Sequence, residues 1–200
     1  MTYVKASVRR PAGNPGNGIQ PKDQLVIYDV DDILYFPPRN EAGVVIEEDI
    51  VMKAGRYAIG IYLTPGTAEI SSNSDGETDA EGYTPSVKFN HPGNEQEIRE
   101  FKTNWLSKKC IVVLRYCSGK PADLIGTPCN PSKLSVSYTG SNESNTNELT
   151  FTQISKGDDI AIYRGTDTLE EPVAVVEAGA TDIDYQTDGQ YQLSAGAAKI

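Results

Sequence analysis

The chain has 200 residues, a formal charge of −10 and 38% hydrophobic residues, with 18 glycines, 12 prolines and 11 tyrosines. This acidity disfavours conventional binding of nucleic acid, because binding to phosphates gains affinity mainly from cationic side chains that release counterions. The composition is typical of a loop-rich β protein, and the length fits one domain with an extension.

Two features of the sequence predict where the protein is made. No apolar run approaches the 18 residues of a membrane-spanning helix, so we expect no membrane association. The first residues, MTYVKASVRR, lack the apolar segment of a signal peptide, which predicts synthesis in a cytoplasm. In such a reducing compartment, free thiols are the default for the three cysteines.

Three regions follow one another along the chain. Residues 1–22 contain PAGNPGNGIQP, which predicts an extended arm or loop. Residues 23–165 carry the main β pattern, and residues 166–200 are predicted to form a C-terminal β extension with weak strands near 173–176, 183–185 and 191–193. The predicted strands of the main region contain DQLVIYDV, GVVIEEDIV, RYAIGIYL, CIVVLRYC, KLSVSYTG, ELTFTQIS and DIAIYRG.

A long polar segment, Ser71–Gly82, interrupts the strands and has Ala80 as its one apolar residue. Either a surface loop or an interaction element that becomes ordered on assembly accounts for such a segment.

One amphipathic helix is predicted at about residues 94–107. Asn94 is the expected N-cap, and Glu97 stands at the capping-box position three residues later. Four apolar residues recur at helical spacing and are expected to pack the helix onto a sheet: Ile98, Phe101, Trp105 and Leu106. Strands, one helix and further strands predict a mainly β fold, a β-sandwich or small β-barrel with one flanking helix and extended arms at both ends.

The residues that could carry chemistry are few. The three cysteines and the one histidine, His91, do not have the spacing of zinc ligands. Because the chain has one histidine, a catalytic triad would have only His91 as its candidate base. A disulfide between Cys117 and Cys129 fits if their strands form a hairpin, whereas a cytoplasm argues against it. We therefore expect no enzyme activity, no metal and no cofactor.

The stretch CSGKPADLIGTPCNP, from Cys117 to Pro131, is predicted to be a stiff connection between two core strands, with Leu124 and Ile125 held in the core.

The segment Phe89–Thr166 resembles the tail tube proteins of long-tailed phages and, in broader outline, the Hcp-like tubes of contractile injection systems. The shared order is helix, strand, the LIGTPCNP turn, strand, polar hairpin, strand and IYRGT. The resemblance implies a structural protein of the virion tail, assembled in the cytoplasm of a bacterial host. Six copies would form a ring, rings would stack into a hollow tube, and DNA would pass through without specific binding. Its partners would be other copies of itself and the tape-measure, terminator and baseplate proteins of the tail.

The same resemblance assigns expected roles to particular residues. Acidic side chains that line the lumen would repel DNA phosphates, and the candidates are Glu47, Glu48, Asp49, Asp75, Glu77, Asp79 and Glu81. The polar segment Ser71–Gly82 is a candidate for contact between rings. Candidate subunit contacts in the stiff connection are Pro121, Gly126, Pro128 and Pro131.

One alternative is another structural component of a phage, namely a neck or ring adaptor, a tail terminator or a capsid decoration protein. A further alternative, from another class, is a carbohydrate-binding β-sandwich module.

Overall fold

The computed structural model describes residues 6–13 and 16–169. This part of the chain is mainly β with one α-helix, which confirms the predicted fold class. The elements are β1 Pro21–Asp29, a 3-10 helix Val30–Asp32, β2 Ile33–Tyr35, β3 Val45–Ile46, β4 Val51–Met52, β5 Ile59–Tyr62, β6 Glu69–Asp75, β7 Gly82–Pro92, α1 Gln96–Trp105, β8 Cys110–Tyr116, β9 Ala122–Ile125, β10 Ser132–Gly140, β11 Asn145–Gln153 and β12 Ala161–Tyr163.

Ten of these strands form one bent sheet with two halves. The six-stranded half has the order β3-β12-β9-β8-β1-β5, and the four-stranded half has the order β10-β11-β7-β6. Among the described strands, the halves are paired at Ser132–Cys110, through β10 and β8. Within the described residues the path of strands ends at β3 and β6 and does not close, so this part of the chain is an open sandwich and the predicted barrel is not confirmed. Strands β2 and β4 form a separate pair.

Alternating side chains divide the interior into two clusters. One lies between the two halves, where Leu25 and Val112 meet Phe89 and Phe151. The other covers the opposite face of the six-stranded half and includes Tyr163. The six-stranded half is therefore buried on both faces, and the four-stranded half on one. Complete burial of a large apolar side chain stabilises the fold by about 1.5–3 kcal/mol.

Helix α1 closes one side of the core between the halves. Ile98 is buried, and Phe101 and Trp105 pack against the core with their rings stacked 5.7 Å apart. Leu106 is 53% exposed, so its predicted packing role is wrong. At 100° per residue Leu106 lies about 80° from Ile98, on the side away from both aromatic rings.

The predicted helix start is also wrong. The N-cap is Glu95, which makes no side-chain cap hydrogen bond, and the helix begins at Gln96. Asn94 acts differently, since its carbonyl accepts from Arg99 Nε (2.8 Å) and its Oδ1 accepts from Lys102 Nζ (3.1 Å). These bonds tie the segment that precedes the helix to two side chains of the helix itself.

Two segments that the sequence predicts as connections between strands contain strands themselves. Half of the segment Ser71–Gly82 belongs to β6 and to the first residue of β7, and the other half, residues 76–81, forms the turn between them. The stretch from Cys117 to Pro131 contains β9, which pairs with both β8 and β12. Leu124 and Ile125 are buried there, as predicted.

The ends of the described chain differ from the predicted boundaries. Strand β1 begins at Pro21, and residues 6–13 and 16–20 form neither helix nor strand. At the other end Thr166–Leu169 contacts the domain, with Ala58 donating its N–H to the Thr168 carbonyl (3.0 Å). The strands predicted near 173–176, 183–185 and 191–193 lie outside the described residues. In the part of the chain that the structure describes, no helix has the length and apolar character needed to span a membrane.

Candidate functional site

The four-stranded half presents one face whose side chains are polar except for Pro92, the last residue of β7. Side chains alternate along each strand, so those that do not enter the core point the opposite way. Hydrogen-bonded and charged pairs confirm this arrangement, because Ser71 Oγ lies 2.9 Å from Ser86 Oγ and Lys88 Nζ lies 3.4 Å from Glu69 Oε2. We call this surface the polar face; it consists of Glu69, Ser71, Asn73, Asp75, Thr84, Ser86, Lys88, Asn90, Lys133, Ser135, Ser137, Thr139, Thr146, Glu148, Thr150 and Thr152.

Charges on the polar face are few and nearly balanced. Three carboxylates and two ammonium groups leave it a formal charge of −1, a small part of the −10 of the chain. Lys88 is paired with Glu69, and Lys156, which follows β11, lies 3.1 Å from Asp75. The hydrogen bond from Lys156 and the N–H of Gly76 lower the pKa of Asp75, which keeps this carboxylate charged. Hydroxyl and amide groups therefore dominate the surface.

Strand β10 has an open edge along most of its length. The pairs Pro131–Ile154 and Ser141–Ser144, at the two ends of the hairpin with β11, are hydrogen-bonded at 3.0 and 2.8 Å. Because hydrogen-bonded pairs alternate in an antiparallel ladder, odd-numbered residues of β10 bond to β11. The N–H and C=O groups of Leu134, Val136 and Tyr138 point away from β11, and no other described strand pairs with them.

Strand β6 has the second open edge. Gly93 donates its N–H to the Asn145 carbonyl (3.0 Å), so odd-numbered residues of β7 bond to β11 and even-numbered residues face β6. Their partners in β6 are the odd-numbered residues from Glu69 to Asp75. The main-chain groups of the remaining residues, Ile70, Ser72 and Ser74, therefore point outward, and no described strand pairs with that side of β6.

Six of the seven acidic residues predicted to share one surface lie off the polar face. Glu47 pairs with Arg164 (3.0 Å), Glu48 accepts from the Tyr35 hydroxyl, and Asp49 accepts two bonds from Thr166. Glu77, Asp79 and Glu81 are exposed in the turn between β6 and β7. The bonds from the Thr166 N–H and hydroxyl lower the pKa of Asp49. Of the seven, Asp75 alone belongs to the polar face, and the lumen-facing role of these residues stays a prediction.

The four predicted contact residues of the stiff connection differ in exposure. Pro121 and Pro128 are exposed, whereas Gly126 and Pro131 are buried within the domain. Gly126 has φ +92°, and a Cβ there would lie 3.2 Å from the Cys110 carbonyl oxygen. Its role is to let β9 pass close to the corner where β8 and β10 meet.

All three cysteines are free thiols, with Cys110 buried and Cys117 and Cys129 exposed. Among the described residues, no three His, Cys, Asp or Glu side chains are grouped so that they could hold a metal ion.

The two exposed thiols should react with a thiol reagent in the native protein, and the third only after unfolding. Burial raises the pKa of Cys110 to about 12, so its thiolate is scarce at neutral pH and its sulfur is inaccessible. Titration with Ellman's reagent at pH 8 should count two thiols before denaturant is added and three afterwards. A native count of three would contradict the buried position of Cys110.

The structure also contains a buried polar network that the sequence did not reveal. Tyr28 donates its hydroxyl to Asp167 Oδ1 (2.7 Å), and Arg115 donates Nε to Asp167 and Nη2 to the Gly165 carbonyl. Tyr163 contacts the guanidinium and donates its hydroxyl to the Thr166 carbonyl (3.1 Å). The network anchors the chain where it leaves β12.

Comparisons of the chain with protein-family models, with curated proteins and with solved structures find no match.

Proposed function

We propose that this protein is a structural subunit that assembles edge to edge into rings and stacks into a hollow tail tube for phage DNA. The observation that carries the proposal is the four-stranded half, which has one polar face and two edges that no strand within residues 16–169 pairs with over most of their length. An unpaired edge is a template for another strand, and the open edges of β6 and β10 bound the same sheet.

The strand count suits a ring. The four strands alternate in direction, so β6 and β10 run antiparallel to each other across the half. Copies related by rotation about one axis can therefore place β6 of one against β10 of the next as an antiparallel pair. With six copies, the number that the resemblance implies, the four-stranded halves make a ring of twenty-four alternating strands.

The edges lack two of the devices that usually prevent such pairing, namely prolines and bulges. Neither β6 nor β10 contains a proline, and their pairing with β7 and β11 has no bulge. Monomeric β proteins usually protect edge strands of seven and nine residues with prolines, bulges or inward-pointing charges. Uninterrupted edges on both sides of one sheet support self-association.

The polar face suits a wall along which DNA moves. Proteins hold nucleic acid with unpaired lysine and arginine side chains and with aromatic rings that stack on bases. The polar face has no aromatic or arginine residue, Lys88 is paired with Glu69, and Lys133 is the one lysine of the face without a carboxylate partner among the described residues. The absence of aromatic rings on this face also disfavours the carbohydrate-binding alternative.

Electron microscopy of the negatively stained protein tests the proposal directly. We expect hollow tubes or six-fold rings whose abundance rises with protein concentration. Rings that never stack would favour an adaptor or terminator instead. A protein that remains monomeric in sedimentation velocity at high concentration would contradict self-assembly.

A further inference from the structure

The two open edges carry matching sets of main-chain groups. Ile70, Ser72 and Ser74 direct three N–H and three C=O groups outward from β6, and Leu134, Val136 and Tyr138 do the same from β10. We infer that neighbouring copies join in one register, in which Ile70, Ser72 and Ser74 lie opposite Tyr138, Val136 and Leu134 of the neighbouring copy. This inference rests on the proposed function and specifies its subunit contact.

The hydrogen-bond pattern restricts the register. Only outward-pointing groups can bond across the interface, so an even-numbered residue of β6 must face an even-numbered residue of β10. The inferred register pairs all three outward-pointing residues of β6 with outward-pointing residues of β10. A shift by two residues in one direction leaves Ser74 opposite Ser132, which already pairs with β8. A shift in the other direction places Ile70 opposite Gly140, so the hydrogen bonds alone permit it and the charges must decide.

The side chains agree with this pairing. The outward-bonding residues of both strands have their side chains on the core side of the sheet, as Ile70 and Leu134 show by packing against the core. Pairing them therefore keeps the polar face continuous from one copy to the next. An odd shift would place core-side residues opposite polar-face residues and break this continuity.

Charge complementarity selects the same register. In the inferred register Lys133 lies directly opposite Asp75 of the neighbouring copy, on the polar face. Within its own chain Lys133 has no carboxylate within 4.0 Å among the described residues, whereas Asp75 already contacts Lys156. Opposite charges at facing positions of an antiparallel pair stabilise it. A two-residue shift would place Lys133 opposite Asn73 or beyond the end of β6.

A designed disulfide tests the register. Asn73 and Ser135 would face each other across the interface as a non-hydrogen-bonded pair, whose Cα atoms lie about 4.5 Å apart, a distance that a disulfide spans. We therefore combine Asn73→Cys with Ser135→Cys in a chain where Cys117→Ser and Cys129→Ser remove the exposed native thiols. Mild oxidation of the assembled protein should give a ladder of covalent oligomers that ends at the closed ring.

The matched control is Ser71→Cys with Ser135→Cys, which tests a register shifted by two residues. Its oligomer yield should be at least tenfold lower than that of the first pair. A ladder from the control and none from the first pair would overturn the inferred register, even if the same sample shows tubes. If wild-type protein forms neither rings nor tubes, the proposed function itself fails, so the two failures are distinguishable.

Discussion

Replacing Asp167 with alanine should lower the free energy of unfolding by about 3 kcal/mol, because the change leaves a largely buried cation without its partner. The Asp167 side chain is 6% exposed and that of Arg115 is 27% exposed. Alanine removes the carboxylate from Arg115 and leaves the Tyr28 hydroxyl without its acceptor. Burial raises the pKa of Tyr28, so the hydroxyl stays protonated and continues to need an acceptor.

The control for this prediction is Glu47→Ala. Glu47 pairs with Arg164, but the two side chains are 53% and 54% exposed. Exposed ion pairs contribute about 0–1 kcal/mol, so the control should change stability by less than about 1 kcal/mol. Urea denaturation of unassembled protein measures both variants. Equal effects from Asp167→Ala and Glu47→Ala would contradict the anchoring role of the buried network.

Replacing Tyr138 with proline should abolish assembly while the monomer stays folded. The Tyr138 N–H points to the open edge, so proline removes a donor from the proposed interface and places its ring there. The ladder to β11 keeps its bonds, because the neighbouring residues Ser137 and Thr139 make them. We expect the concentration needed for assembly to rise at least tenfold, measured by sedimentation velocity.

Two further variants in β10 distinguish loss of the outward-pointing N–H from loss of the tyrosine side chain and from unfolding of the monomer. Tyr138→Ala also loses the contact with Lys102 and the bond to Asn145, but it keeps the N–H and should still assemble. Ser137→Pro removes a donor that bonds to β11 and should destabilise the monomer itself, as circular dichroism would detect. If Tyr138→Pro assembles as readily as Tyr138→Ala, the β10 edge is not the contact.

The elements that could be predicted from the sequence are those whose pattern of apolar and polar residues lies within a short stretch of the chain. The alternation in β10 and the apolar spacing in α1 each lie within about ten residues, and the structure confirms both elements. Strand β6 was missed because its core-side positions include Ser72 and Ser74, which hide the alternation of an edge strand. Strand β9 was missed because its four residues stand between prolines and a glycine that resemble a loop.

The candidate site depended on contacts that no local pattern contains. Tyr28 and Asp167 are 139 residues apart in the chain, and no spacing rule brings them together. The acidic residues near 47–49 and 75–81 share a composition, but strand pairing sends their side chains to different surroundings. One signal was present, since the alternating Ser and Thr of β10 and β11 predict a polar surface once the partner strands are known.

The central claim is that four-stranded halves of neighbouring copies join into one sheet whose polar face lines a channel. Helical reconstruction of the assembled protein by electron cryo-microscopy tests it most directly. We expect β6 of each copy to be hydrogen-bonded to β10 of the next, with Ser71, Ser86 and Thr150 facing the lumen. A tube lined by α1 or by the six-stranded half, or one in which both edges face solvent, would contradict it.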